Sequence, residues 1–532
     1  MRVRSRPIPV PVGLAGLAVG LFATLPLVYL GVRASSLGLD GALDVIGSAS
    51  TRGLLIRTVA LTFAVTVTSV AIAVPLAWAT VRTDLPLRRT WIVLSALPLA
   101  IPTYVGGYAF VAALGPRGLV QGWLEPFGVE QLPSLYGFPG AWITLTLFTY
   151  PYAFLTVRAA VQRLDISLEE ASRSLGHGGR ATFRRVVLPQ LRLSIGAGAL
   201  LVALYTLHDF GAVSFVRFDS FTRAIYIEYQ SSFNRSRAAL LSLILVAVAL
   251  ALVAIEGRRR SRIPVGRGLS TGTHQAPITP LGRWKWPVFA SCCALVGLGL
   301  ALPVGVIGWL LVQALRAHES IQLGVPALHS VEAAGLAAVV TTLAAWPVAM
   351  LVARHPGRFT RLIERASFVG YALPGLVVAL AFVFVGARYL PSMYQTLTVL
   401  VLAYAVLFLP QAVGALRVSI TQVSVSLEEA AASLGSGRYA ILRRVMLPLA
   451  RPGLLAGCAL VFLTAIKELP ATLLLAPIEF STLATEVWDA TAATSYTQAA
   501  APALVLIALG ALALAISVRF SQVQLRRGSG MR

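Results

Sequence analysis

Lysine is almost missing from this 532-residue chain: Lys285 and Lys467 are the only two, preceded by Trp284 and Ile466. No Gly-Lys-Ser/Thr phosphate-binding loop can therefore exist in it, and any use of ATP falls to another polypeptide. Cysteine is nearly as rare. Cys292 and Cys293 share one apolar run and Cys458 lies in another, so no outer-loop pair offers a disulfide and all three read as small core residues. The six histidines and three cysteines have no metal-ligand spacing that would signal an enzyme. Charge is scarce too: 12% of residues are charged against 57% hydrophobic, with mean hydropathy +0.79. A water-soluble fold cannot hide that much apolar surface, and the composition is that of a helical membrane protein.

The apolar residues are gathered into runs of roughly 20, enough at 1.5 Å per residue to cross a hydrocarbon core of about 30 Å. Twelve are expected to span, at 12–32, 54–81, 91–114, 142–161, 191–207, 238–255, 288–311, 333–352, 366–387, 397–416, 454–474 and 501–518. The first is spanning length and makes the helix count even, so it is read as an uncleaved helix rather than a signal peptide. The net charge of +23 does not call for nucleic acid. With both termini and every second loop cytoplasmic, Arg2, Arg4, Arg6, Arg82, Arg88, Arg89, Arg184, Arg185, Arg258, Arg259, Arg260, Arg443, Arg444, Arg526 and Arg527 lie inside, as the positive-inside rule requires. Asp40, Asp44, Glu125, Glu130, Glu479, Glu486 and Asp489 then fall outside.

The spans divide six and six about 257–285, a stretch rich in Arg, Gly, Pro, Ser and Thr without apolar period, read as a cytoplasmic linker. The expected organisation is a first half at 1–256, this linker, and a second half at 286–532. The halves repeat one another. Ser167-Leu-Glu-Glu-Ala-Ser-Arg-Ser-Leu-Gly176 and Arg184-Arg-Val-Val-Leu-Pro189 match Ser426-Leu-Glu-Glu-Ala-Ala-Ala-Ser-Leu-Gly435 and Arg443-Arg-Val-Met-Leu-Pro448 without a gap. Pro151 matches Pro410, Arg158 matches Arg417, Asp209 matches Glu468, and Pro75 through Arg82 echoes Pro347 through Arg354. Six helices between equivalent points keep the orientation, so the fold class is an all-α polytopic membrane protein of two parallel six-helix repeats. Pro98, Pro102 and Pro374 fall inside the third and ninth runs, where kinks serve either a pathway or merely bent packing. Gly16 with Gly20 and Gly453 with Gly457 permit close helix approach.

In the polar repeat, Ser167 with Glu170 and Ser426 with Glu429 have capping-box spacing and start a helix on the cytoplasmic side. Leu168, Ala171, Ser172 and Leu175 share a face, as do Leu427, Ala430, Ala431 and Leu434. Gly176 and Gly435 are left-handed stops. Helices this short are marginal alone and need a partner surface, either the chain's own helix ends or another subunit.

Glu-Ala-Ala, three residues, Gly, nine residues, then a branched aliphatic, any residue, Leu and Pro resembles the EAA loop of ABC-type importer permeases. The second copy matches at Glu429, Ala430, Ala431, Gly435, Val445, Leu447 and Pro448. The first matches at Glu170, Ala171, Gly176, Val186, Leu188 and Pro189, with Ser172 in place of the second Ala. The resemblance implies coupling helices, with Glu169 and Glu428 beside the motif, that dock onto two copies of a nucleotide-binding subunit. It implies ATP and Mg on those partners, no cofactor on this chain, an extracytoplasmic substrate-binding protein, and a bacterial inner membrane. Leu207-His-Asp-Phe-Gly-Ala-Val213, Phe221-Thr-Arg-Ala-Ile-Tyr226, Ala372-Leu-Pro-Gly-Leu-Val-Val-Ala-Leu380 and Lys467-Glu-Leu-Pro-Ala-Thr472 are similar to the fused permeases of ferric-iron importers; permeases for thiamine and phosphonates are close relatives. A major-facilitator-type transporter also has a six-plus-six repeat. Its Gly-x-x-x-Asp signature is absent from 82–89 and 354–365.

Asp209 and Glu468 occupy equivalent places roughly 20 residues after Pro189 and Pro448, about 30 Å along a helix toward the outer side. Carboxylates beside a span are costly and tend to face a polar cavity, and a symmetric pair suits a hard cation. Both are candidate pathway residues; the alternative is that they cap outer helix ends or pair with His208 and Lys467.

Overall fold

A computed structural model describes residues 8–116, 118–128, 131–230, 234–261 and 278–529. Arg2, Arg4, Arg6, Glu130 and linker residues 262–277 lie outside the described residues, as do the side chains of Arg259, Arg260, Arg526 and Arg527. Among the described residues every regular element is a helix, and the sole β contact is an isolated bridge between Thr83 and Thr279. The helices that matter below are α1 (Val10–Ser35), α2 (Ala49–Arg82), α3 (Thr103–Leu114), α4 (Phe138–Val161), α5 (Ile166–Ser174), α6 (Leu188–His208), α7 (Lys285–Val296), α8 (Gly324–Arg354), α9 (Gly375–Tyr389), α10 (Leu397–Gln422), α11 (Val425–Ser433) and α12 (Leu447–Ala465).

Among the described residues nine helices are long and apolar enough to span, or up to eleven if two bent pairs each make one span. The remaining expected span is α4. It is long enough, but Thr144, Thr146, Thr149, Tyr150, Pro151 and Tyr152 dilute its apolar character. Its core side chains are buried in protein rather than offered to lipid: Leu145, Tyr150, Phe154 and Val157 have no exposure.

Two expected spans are broken rather than kinked. The helical pieces on either side of Pro102 meet at 94°, and helices 358–372 and 375–389 at 107°. The cause is local. A residue before proline is pushed out of the helical region, and Ile101 before Pro102 has ψ 120° while Leu373 before Pro374 has ψ 119°. The expected 454–474 run is likewise interrupted, since α12 stops at Ala465 and a separate helix begins at Pro470.

The chain forms two compact units, Ile46–Ala224 with Ile244–Leu310, and Met1–Val45 with Ile225–Leu243 and Leu311–Arg532. In the first, α2, α4 and α6 pack against one another, burying Leu61, Val65, Leu145, Phe154, Leu191 and Val202. In the second, α8, α10 and α12 repeat the arrangement around Ala345, Val348, Leu400, Ala412 and Val461. Small residues set the spacing, because association within lipid depends on close packing. A Cβ on Gly198 of α6 would lie 2.8 Å from Ala153 Cα, and one on Gly453 of α12 would lie 2.2 Å from Ser419 Cβ. Each unit also takes in a helix from the far end of its sequence. Gly16 and Gly20 of α1 face Leu351 and Ala366 in the second unit, while α7 enters the first, with Phe289 against Trp91 at 5.4 Å and Cys292 buried.

The expected linker is shorter than 257–285, because the helix before it runs to Ser261 and α7 starts at Lys285. Its final residues are strapped to the loop after α2. The Thr279 amide donates to Arg82 O at 2.8 Å, the Leu281 amide to Asp84 Oδ1 at 2.8 Å, and Lys285 Nζ lies 3.2 Å from Asp84 Oδ2. The Leu281 amide, then the Lys285 ammonium, hold the Asp84 carboxyl below its ordinary value of 3.8 against the opposing effect of desolvation. A depressed carboxylate contributes stability above its unfolded value and loses it as pH falls through its folded one. The two Asp84 contacts are therefore expected to hold at neutral pH and to weaken only below pH 3.8. Asp84→Ala should remove them at every pH while the Thr279 bond to Arg82 O remains, seen as exchange at the Leu281 amide faster by on the order of tenfold, the loss of one net hydrogen bond.

Candidate docking helices and buried carboxylates

The helices α5 and α11 form where the polar repeat places them, but they do not start at Ser167 and Ser426. Asp165 is the N-cap of α5, accepting from the Ser167 amide at 3.0 Å, and Ser424 caps α11, accepting from the Ser426 amide at 3.2 Å. The capping boxes expected at Ser167–Glu170 and Ser426–Glu429 are therefore not formed. An acceptor two residues earlier is already in place, and at α5 it carries a negative charge that suits a helix N-terminus. The stops are as expected. Gly176 and Gly435 have φ +82° and +81°, the His177 amide reaches back to Ser172 O and the Ser436 amide to Ala431 O, which is the Schellman closure.

The two sides of each helix differ. Leu168 and Leu175 of the first repeat are 49% and 77% exposed, and Leu427 and Leu434 of the second are 49% and 85% exposed. Glu170, Ala171, Glu429 and Ala430 are also exposed. Ser172 departs from the expected shared face. It is buried, with Oγ 3.1 Å from Thr182 Oγ1. The corresponding residues in the second repeat are Ala431 and Ile441, so a polar pair in one half stands where an apolar pair stands in the other.

Opposite the exposed face lies a contact that spacing alone did not bring out. Arg82 Nη2, at the end of α2, donates to Glu169 Oε1 at 2.8 Å and Oε2 at 2.6 Å, with the side chains 2% and 4% exposed. Arg354, at the end of α8, lies 2.8 Å from Glu428 Oε1 and also donates to Val423 O at 2.8 Å. The echo between Pro75–Arg82 and Pro347–Arg354 was the available signal. Beyond each of these short helices the chain passes through a π turn, Phe183–Val187 or Leu442–Met446. It then enters α6 at Leu188-Pro189 or α12 at Leu447-Pro448, where proline sits in a first turn that needs no amide donor.

Asp209 and Glu468 lie just past α6 and α12, each at a broken helix. Asp209 is 7% exposed; its Oδ2 accepts from Thr103 Oγ1 at 2.5 Å, at the start of α3, and its Oδ1 from the Val213 amide at 3.2 Å. Glu468 Oε1 accepts from the Ala471 amide at 3.4 Å and faces the start of α9, where a Cβ on Gly375 would sit 2.2 Å from it. The Thr472 hydroxyl adds a bond to Glu468 O and meets Tyr404 OH at 2.5 Å. Among the described residues no group of three or more His, Cys, Asp or Glu is placed to hold a metal ion.

Two repeated cores of membrane-length helices, each with a broken helix and a short helix exposing leucines, define a polytopic transport subunit made by duplication. The chain belongs to the family described as binding-protein-dependent transport system inner membrane component, which it matches twice, at residues 69–258 and 345–528. Among its relatives, Fe(3+)-transport system permease protein FbpB 2 of Haemophilus influenzae is 34% identical over 92% of this chain and 94% of that protein. Ferric transport system permease protein FbpB of Actinobacillus pleuropneumoniae is 26% identical over 75% of this chain and 61% of that protein. Sulfate transport system permease protein CysW of Escherichia coli K12 is 25% identical over 44% of this chain and 83% of that protein.

Proposed function

We propose that this chain is the permease of an ATP-driven importer that carries ferric iron across the bacterial inner membrane. Both termini face the cytoplasm, and the repeats at 1–256 and 286–532 each present one docking helix to one of two nucleotide-binding subunits. A substrate-binding protein delivers iron on the opposite side. The observation that carries the reading is the pair of short helices whose leucines stand exposed on a chain with no phosphate-binding loop. An apolar face on so short a helix is stabilised by being covered, and a motor must be supplied from outside. The likeness to the Haemophilus influenzae iron permease along nearly its whole length supports the substrate.

The test is reconstitution into liposomes with the nucleotide-binding subunit and the cognate binding protein loaded with ferric iron. Accumulation of iron that requires ATP and both partners is expected. Accumulation driven by an ion gradient on the permease alone would overturn the reading, and ATP-driven uptake of another solute with ferric iron refused would overturn the substrate.

A further inference from the structure

We infer that Arg82 and Arg354 are positioning residues that clamp the docking helices to the ends of α2 and α8, so that a push on a docking helix reaches a spanning helix directly. This rests on the docking reading above.

An arginine–glutamate pair recurs in both repeats with different geometry and supports: Arg82 donates to both Glu169 oxygens, whereas Arg354 meets Glu428 Oε1 as an ion pair at 2.8 Å. Arg82 lies over the Trp78 ring at 5.1 Å, whereas Arg354 is braced by Val423 O at 2.8 Å. What recurs is the link from the last residue of a long helix to the inward carboxylate of a docking helix. Stability alone is a weak reason for it. Burying an ion pair sacrifices hydration that apolar residues of similar volume would not, and Arg82 Nε and Arg354 Nε are buried without a hydrogen-bond partner among the described residues. Such a pair is better suited to fixing one helix against another.

The route along the chain is less direct. Between α5 and α6 it crosses the π turn at Phe183–Val187, and between α11 and α12 the one at Leu442–Met446, where the regular helical ladder is interrupted. The clamp bypasses both. It also acts on a segment able to respond: Pro75 inside α2 and Pro347 inside α8 lie about two turns before the arginines and each removes a helical hydrogen bond. The last turns of α2 and α8 thus form short arms hinged at proline and gripped at arginine.

The experiment uses the complete reconstituted complex and compares wild type with Arg82→Gln/Arg354→Gln, Glu169→Gln/Glu428→Gln and the fourfold variant. Two quantities are read: ferric iron transported per ATP hydrolysed, and the distance between spin labels at Arg173 on α5 and Arg89 beyond α2, across nucleotide states and without iron. Expected results are retained nucleotide-binding subunit, a transport-to-hydrolysis ratio at least about tenfold lower, a fourfold variant no worse than either double variant, and label distances that broaden only in the variants. An unchanged ratio with unchanged distances overturns the clamp, as do additive losses or a loss of subunit binding that accounts for the whole effect. If the Gln variants fail to assemble, Arg82→Met/Glu169→Leu with Arg354→Met/Glu428→Leu keeps the volume without charge, and wild-type coupling in it overturns the clamp. Wild type separates the two ideas. Absence of ATP-driven uptake there defeats the importer reading, while the label distances still decide the clamp.

Discussion

Gly176→Pro combined with Gly435→Pro is expected to abolish ATP-driven uptake, lowering it by more than about a hundredfold, while the spanning helices remain folded. Both glycines have left-handed φ, +82° and +81°. An L-residue in that region is strained by roughly 1–2 kcal/mol, and proline, fixed near φ −65°, cannot adopt it at all. Proline also deletes the amide that closes each helix, from Gly176 to Arg173 O at 2.9 Å and from Gly435 to Ala432 O at 3.0 Å. The damage stays local, since a Cβ at either position meets nothing within 4 Å. The helices would lose their termini and present Leu175 and Leu434 in the wrong place, whereas Arg82 and Arg354 meet them at Glu169 and Glu428, ahead of the altered stops. Uptake, retention of the nucleotide-binding subunit and the thermal midpoint of the permease should be measured together. Unchanged uptake would count against docking. Gly176→Asn with Gly435→Asn, a residue that tolerates the left-handed region, should retain most activity.

Much of this architecture was legible because it follows from chemistry a single chain displays. Long apolar runs and a polar segment repeated without a gap gave the duplication and the two short helices with exposed leucines. What was not legible depended on which of several local signals prevails. Ser167 and Ser426 have capping-box spacing, yet Asp165 and Ser424 lie two residues earlier and take the amides first. Pro102 and Pro374 announce a disturbance but not its size, which is set by how Ile101 and Leu373 settle in the extended region. The clamps were least visible of all. Arg82 and Glu169 stand far apart in sequence, and arginines at helix ends are so common in membrane proteins that the positive-inside rule accounts for Arg82 before any pairing is considered.

Neutralising Asp209 and Glu468 together, as Asp209→Asn with Glu468→Gln, is expected to remove iron uptake without disturbing assembly, a loss of about a hundredfold corresponding to ~3 kcal/mol for a charge withdrawn from a buried polar setting. The substitutions are chosen to separate charge from capping. Gln keeps an oxygen that can accept from the Ala471 amide, and Asn keeps one for the Val213 amide while its amide nitrogen can donate to the Thr103 hydroxyl in place of the bond that Asp209 accepts there, so local turns beyond α6 and α12 can persist. Loss of uptake with unchanged thermal midpoint therefore reports on charge; normal uptake would leave both residues as caps alone. Gly375 offers an independent measure of placement. A Cβ there would lie 2.2 Å from Glu468 Oε1, so Gly375→Ala must displace the carboxylate or shift the start of α9. If Glu468 acts through its position, Gly375→Ala should lower uptake about tenfold in the wild-type background and by much less once Glu468→Gln is present, the non-additivity expected of two changes to one interaction. Equal effects in both backgrounds would trace the loss to α9 itself and remove Glu468 from the pathway.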